Sequence, residues 1–279
     1  NTWQSLSKEC DDDIGFTRQG VLYVAENDRE MAEHEQWMDI ANQHQLDTRL
    51  LSGAEVDELI QDKPGQWKGG MFTPSDARAE PFKAVPALAR ALRNRGGLIR
   101  ENCAVRSIDM QGGRVTGVIT EHGSVKAQSV VCAGGVWSTV FLANLGISLP
   151  QIGVRATVAR TAPAPDIYQG NVAASDIAIR RRQDGGYTVA ASPENEHFIG
   201  ADSFRHFFKF LPAFYQSVRF IKLRFGGDVI DRMLPTRHWR DDETTPFEQH
   251  RVLNPAPSQK ALNSMRHGLK MRLPSLAEI

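Results

Sequence analysis

Val130-Val131-Cys132-Ala133-Gly134-Gly135-Val136-Trp137-Ser138 is the stretch that decides the fold. Three apolar residues in succession, without alternation, predict a short strand buried on both faces over 130–132. Side chains then vanish at Ala133, Gly134 and Gly135, as they do where another backbone or a flat ligand comes close. Ser138 is a candidate N-cap, and Val140, Phe141, Leu142 and Leu145 follow at helical spacing until Gly146. Strand, glycine turn and helix in that order place backbone N–H groups and a helix N-terminus at the strand's end. A tight connection with nothing bound accounts for the same residues equally well.

Upstream, residues 20–25 read as a strand and 29–46 as a helix with Met31, Met38 and Ala41 on one face. Ser52 and Glu55 form a capping box for a second helix through Ile60. Residues 69–81 lack periodicity and carry Gly69, Gly70, Pro74 and Pro81, which predicts a crossing loop. Residues 82–95 read as a helix with Val85, Leu88, Ala89 and Leu92 inward, stopped by Gly96-Gly97. Pro86 is tolerable there only in the first turn. Strands are expected at 98–99 and 105–108, then a hairpin of 114–119 and 124–127. This alternation implies a parallel sheet with a small antiparallel meander attached. Residues 151–202 carry β-rich pieces about ten residues apart, the sign of an antiparallel sheet. Phe204, Phe208, Leu211, Tyr215, Val218 and Phe225 fall near one helical face, with Pro212 dividing the run. A stripe this broad reads as core, with a lid or docking surface as the rival. Leu262, Met265 and Leu269 mark a last helix.

The strand ending in Val-Val-x-Ala-Gly-Gly-x-Trp-Ser resembles the segment that closes the FAD site in the D-amino-acid oxidase, glycine oxidase and sarcosine oxidase family. Gly135 stands where that pattern has Ala. Gly70-Met71-Phe72-Thr73-Pro74-Ser75-Asp76, Glu80-Pro81 and the order helix, Arg95-Gly96-Gly97, strand, Val105, hairpin are similar to the same family. The resemblance implies an α/β with α+β fold: part of an FAD-binding Rossmann-like domain plus an antiparallel-sheet substrate domain. It implies a cap segment over 1–68, FAD-domain residues over 69–147 and a substrate domain over 148–279. Val105, Ala133, Gly134 and Trp137 are the implied cofactor-binding residues, although Val105 and Trp137 would serve equally as core. His197 and Tyr187, in the segment that should face the flavin, are the weak catalytic candidates. The implied reaction is hydride transfer from an amino acid or secondary amine to FAD, giving an imine. The rival is a non-catalytic interaction subunit or a truncated fragment. A flavin domain serving tRNA modification or glycerol phosphate oxidation is a third option.

Lysine plus arginine equals aspartate plus glutamate, 33 each, so the whole-chain charge makes no case for nucleic acid or an anionic membrane. Arg180-Arg181-Arg182 reads as a solvated strand end. Cys10, Cys103 and Cys132 are too few and too irregular for a disulfide framework and suit a cytoplasmic protein. No apolar run approaches the roughly 20 residues of a membrane span. His34-Glu35 lacks a second histidine at zincin spacing, and no metal site is expected. Gly-x-Gly-x-x-Gly, Gly-x-Ser-x-Gly and Cys-x-x-Cys do not occur. The first residue is Asn1, a hint of a piece of something longer, and this chain alone is expected to bind FAD poorly. Expected partners are a small amine or amino acid and a homo- or hetero-oligomeric subunit.

Overall fold

The computed structural model describes residues 2–192, 195–217, 221–226 and 238–277. In chain order the first elements are α1 (Thr2–Cys10), β1 (Thr17–Arg18), β2 (Val21–Ala25), α2 (Asp28–Gln43), β3 (Arg49–Ser52), α3 (Gly53–Leu59), β4 (Gly69–Thr73), β5 (Ala77–Arg78) and α4 (Pro81–Asn94). The meander β6 (Val105–Gln111), β7 (Arg114–Thr120) and β8 (Gly123–Lys126) leads to α5 (Ser138–Asn144). Then come β9 (Val158–Arg160), β10 (Asn171–Ala173), β11 (Ile177–Arg181), β12 (Tyr187–Ala191) and β13 (Asn195–Phe198). The last are α6 (Ala201–Arg205), α7 (Phe207–Ser217), β14 (Ile221–Arg224), α8 (Pro246–Gln249) and α9 (Gln259–Arg272). Two compact units result: residues 1–99, 157–194 and 257–279, and residues 100–156 and 195–256. These boundaries differ from a division at 68/69 and 147/148. The seven-stranded sheet of the first unit draws strands from both ends of the 21–191 span, so the chain must leave and return.

That sheet has the order β3-β4-β2-β10-β11-β12-β9. Only β2 and β10 pair in parallel; the other neighbours are antiparallel. The expected parallel sheet is therefore absent from the described residues, while the antiparallel reading of 151–202 holds for β9 to β12. The mixed α/β class stands. Leu22, Val24, Leu51, Val172, Ile177, Ile179, Tyr187 and Val189 supply the sheet's share of the core. Helix α9 covers it with Ala261, Met265 and Leu269, the last two being expected positions. The Ser52–Glu55 capping box is present: Ser52 N–H donates to Glu55 Oε2 at 2.8 Å, and Ser52 Oγ accepts from Glu55 N–H.

Two glycines explain why 69–73 is a strand and not the expected crossing loop. A Cβ on Gly69 would lie 2.5 Å from the Leu51 carbonyl oxygen, and one on Gly70 2.9 Å from that of Tyr23. Here the glycines permit close approach of flanking strands, a use that composition alone cannot separate from a turn. In α4 the buried residues are Ala84, Ala87 and Ala91, while Val85 and Leu92 are exposed. These small residues pack with Cys10 and Ile14, so tight helix contact overrides side-chain size in choosing the inner face. Pro86 lies inside α4 beyond its first turn, where it cannot donate to the Phe82 carbonyl, and Phe82 is exposed.

In the second unit β6, β7 and β8 form the expected meander, whereas 98–99 is not a strand. Strands β13 and β14 pair in parallel. Residues 130–132 are also not a strand, and Val131 is 88% exposed, against the expected burial on both faces. No described segment pairs with them. Gly69→Ala is expected to cost about 1–3 kcal/mol, because a methyl cannot be accommodated against a backbone oxygen; thermal denaturation of the variant measures it.

Candidate functional site

Val105, Ala133, Gly134 and Trp137, singled out in the sequence, come together in the second unit. They line an open groove of about 270 Å³ with Val130, Val131, Cys132, Phe141 and Phe247. Val105 begins β6, and Phe141 lies one helical turn beyond Trp137 on α5. The glycine corner between them is bare. A Cβ on Gly135 would find no atom within 4 Å, and its φ of +56° is one that glycine adopts without strain. Gln151 braces the corner: its Nε2 donates to the Gly135 carbonyl and its Oε1 accepts from Thr139 Oγ1. No described residue accepts a hydrogen bond from the N–H groups of residues 131–135. Ser138 does not cap α5; a 3-10 turn over Gly135–Trp137 precedes the helix and Ser138 is its buried first residue.

The far wall of the groove comes from a segment more than a hundred residues away. Phe247 meets Trp137 edge-on with ring centroids 6.1 Å apart, Phe141 at 6.3 Å and Trp239 at 5.5 Å. Its short helix α8 has its own capping box: Thr245 Oγ1 accepts from Glu248 N–H, and Glu248 Oε1 accepts from Thr245 N–H. Glu248 also takes two parallel hydrogen bonds from Arg106 on β6, Nε to Oε1 and Nη2 to Oε2, each 3.0 Å. That bond holds Glu248 below the usual carboxylate range against the opposing pull of burial. Trp239 Nε1 donates to the Arg106 carbonyl at 2.8 Å. Phe141 was within reach of the sequence, at i+4 from Trp137; Phe247 carried no local signal.

The two catalytic candidates are not in this groove. His197 on β13 has Nδ1 2.8 Å from the Gly153 carbonyl oxygen and Nε2 2.9 Å from Ser203 Oγ. A carbonyl only accepts, so Nδ1 carries the proton and the Ser203 hydroxyl donates to Nε2. Both ring nitrogens thus tie β13 to neighbouring backbone and to α6. Tyr187 belongs to the first unit and is fully buried. Its hydroxyl donates to the Pro165 carbonyl and accepts from Ile167 N–H, which leaves no open side for a substrate. Arg182 is buried too, donating to the Thr161 carbonyl and to Asp184, so the basic run is not a solvated strand end. Arg78 and Arg180 flank the Glu80 carboxylate at 3.8 and 3.9 Å, a loose cluster within the first unit. No group of histidine, cysteine and carboxylate side chains that could hold a metal occurs among the described residues.

A family model described as FAD dependent oxidoreductase matches residues 1–279. The chain belongs to that family. Among proteins of known activity, mitochondrial sarcosine dehydrogenase of Homo sapiens is 27% identical over 196 residues, which is 66% of this chain and 21% of that protein. Among solved structures, the L-amino acid deaminase of Proteus vulgaris is 26% identical with a TM-score of 0.89, covering 99% of this chain and 66% of its own. Glycine oxidase of Bacillus cereus ATCC 14579 is 25% identical with a TM-score of 0.60, over 68% of this chain and 51% of its own. The chain spans less than two thirds of each of these proteins.

Glu248 has a depressed folded value, so its contribution is present above the ordinary carboxylate value of about 4.3 and is lost as pH falls through the folded one. Acid titration below about pH 4 is expected to release Phe247 from the tryptophans, read as a change in their fluorescence. Arg106→Gln should move that transition to higher pH and cost about 2–3 kcal/mol, since it leaves a largely buried carboxylate without its partner.

Proposed function

We propose that this chain is the central part of an enzyme that oxidises an amino acid or secondary amine to the imine with FAD, and that Val105, Ala133, Gly134 and Trp137 flank the cofactor. The carrying observation is the bare-backbone groove itself: apolar walls, a side-chain-free corner and N–H groups that meet no acceptor among the described residues, gathered within one unit. A flat, apolar ring system edged by hydrogen-bond acceptors matches that lining. The chemistry FAD supplies when bound is acceptance of a hydride from the substrate carbon. The chain's own residues exclude water and orient. Val105 and Trp137 form apolar walls, Phe247 packs against Trp137, and the N–H groups of 131–135, which meet no acceptor among the described residues, would donate.

Family membership and the likeness to amine and amino-acid enzymes support this reading over a non-catalytic interaction subunit. Three free cysteines support a reducing, cytoplasmic setting, although one relative is named as mitochondrial. No helix among the described residues is long and apolar enough to cross a membrane.

The test is flavin content. The intact protein is expected to purify with bound FAD, seen as flavin absorbance. Gly134→Val and Trp137→Ala should each weaken binding about tenfold, or ~1.4 kcal/mol. An intact protein without flavin absorbance, and unable to take up added FAD, would sink the assignment.

A further inference from the structure

A second cavity of the second unit, of about 320 Å³, lies on a different face of α5 from the groove at Gly134. Val140 and Ala143 line the cavity, whereas Phe141 lines the groove. Part of its wall follows from how α5 ends. Gly146 takes a φ of +74°, its N–H donates to the Ala143 carbonyl, and Ile147 N–H donates to the Leu142 carbonyl at 2.9 Å. This is the turn that glycine makes at a helix end, and it uses up those two acceptors. Ile147, Ser148 and Leu149 then line the cavity as well.

Asn144 fixes another wall. Its Nδ2 donates to the Trp239 carbonyl at 3.4 Å and its Oδ1 accepts from Trp239 N–H at 3.0 Å. The same oxygen lies 3.3 Å from His238 Nδ1, so that nitrogen carries the proton. The third contribution is His206, where α6 ends and α7 begins. The phenylalanine-rich run divides here and not at Pro212, and it is not core: Phe207, Phe208, Leu211 and Tyr215 form an exposed arc of α7. His206 itself is only 3% exposed. Its carbonyl accepts from the N–H groups of Lys209 and Phe210, but its imidazole meets no hydrogen-bonding partner among the described residues. A buried polar group ordinarily finds a partner, and this one borders the cavity.

Charge around the cavity is one-sided. Arg205 joins the two histidines, and none of the described residues lining it is an aspartate or glutamate. Arg205 is also engaged elsewhere in the protein, and a guanidinium with five donors can serve two acceptors. The rest of the lining is mostly apolar, with Val140, Ile147, Leu149 and Trp239. We propose that this cavity is a second binding site, for a small organic carboxylate with an apolar side chain. The carboxylate meets His206, His238 and Arg205, and the side chain covers the apolar residues. Inorganic phosphate satisfies the first group and leaves the second uncovered, so the mixed lining favours the amphipathic anion. The site does not rest on the flavin assignment.

Isothermal titration of the intact protein with 3-phenylpropionate tests it. A dissociation constant below about 1 mM is expected, with inorganic phosphate at least about tenfold weaker. Ser148 is exposed at the cavity. Ser148→Glu should weaken the carboxylate at least about tenfold by like-charge repulsion and leave the thermal midpoint unchanged. His206→Gln, which keeps hydrogen bonding without a positive charge, should weaken it by a similar factor. If that variant does not fold, Ser148→Glu alone decides. Absence of binding heat, phosphate binding as tightly as the carboxylate, or an affinity that Ser148→Glu leaves unchanged would each overturn the proposal.

Discussion

A bidentate ion pair, Arg106 to Glu248, holds the groove of the second unit in shape. Arg106 stands on the meander that also carries Val105, and Glu248 follows Phe247 in a helix of one turn. A helix that short has no stability of its own; nucleation costs more than its few hydrogen bonds return. Its position therefore comes from outside: the Thr245 cap, the guanidinium and the ring contacts of Phe247 with Trp137, Phe141 and Trp239. The groove is a tertiary object. Its near wall is local in sequence and its far wall is brought in by a planar, geometrically selective charge pair.

The glycines of this chain do three different jobs. Gly135 takes a positive φ in open space. Gly69 and Gly70 lie in strand β4, where neighbouring backbone leaves no room for a Cβ. Gly268 lets α9 settle on Ile177, its Cβ position lying 3.1 Å from that side chain. A sequence shows only that side chains are missing. Whether they are missing for conformation or for proximity depends on what lies opposite, and that is decided by sheet order.

The tyrosine and histidine candidates show the same limit in polar residues. Tyr187 and His197 sit ten residues apart in a β-rich stretch, yet one fills the core of the first unit and the other ties β13 to α6 in the second. A buried hydroxyl or imidazole must find partners whatever its role, so residue type alone does not separate a structural polar group from a reactive one.

By itself, the sequence determined what depends on near neighbours: the capping box at Ser52, the strand after Gly20, the meander from Val105, the last helix and the bare corner at Gly134-Gly135. It also carried the family pattern, because Val105, Ala133, Gly134 and Trp137, the positions proposed to flank the cofactor, lie in a short span. Only the tertiary structure decided which apolar face is hidden. The alanine face of α4 is buried while the aromatic arc of α7 is exposed, the reverse of what side-chain size suggests. Burial is a property of pairs of surfaces: an apolar face becomes core only where another element comes to meet it.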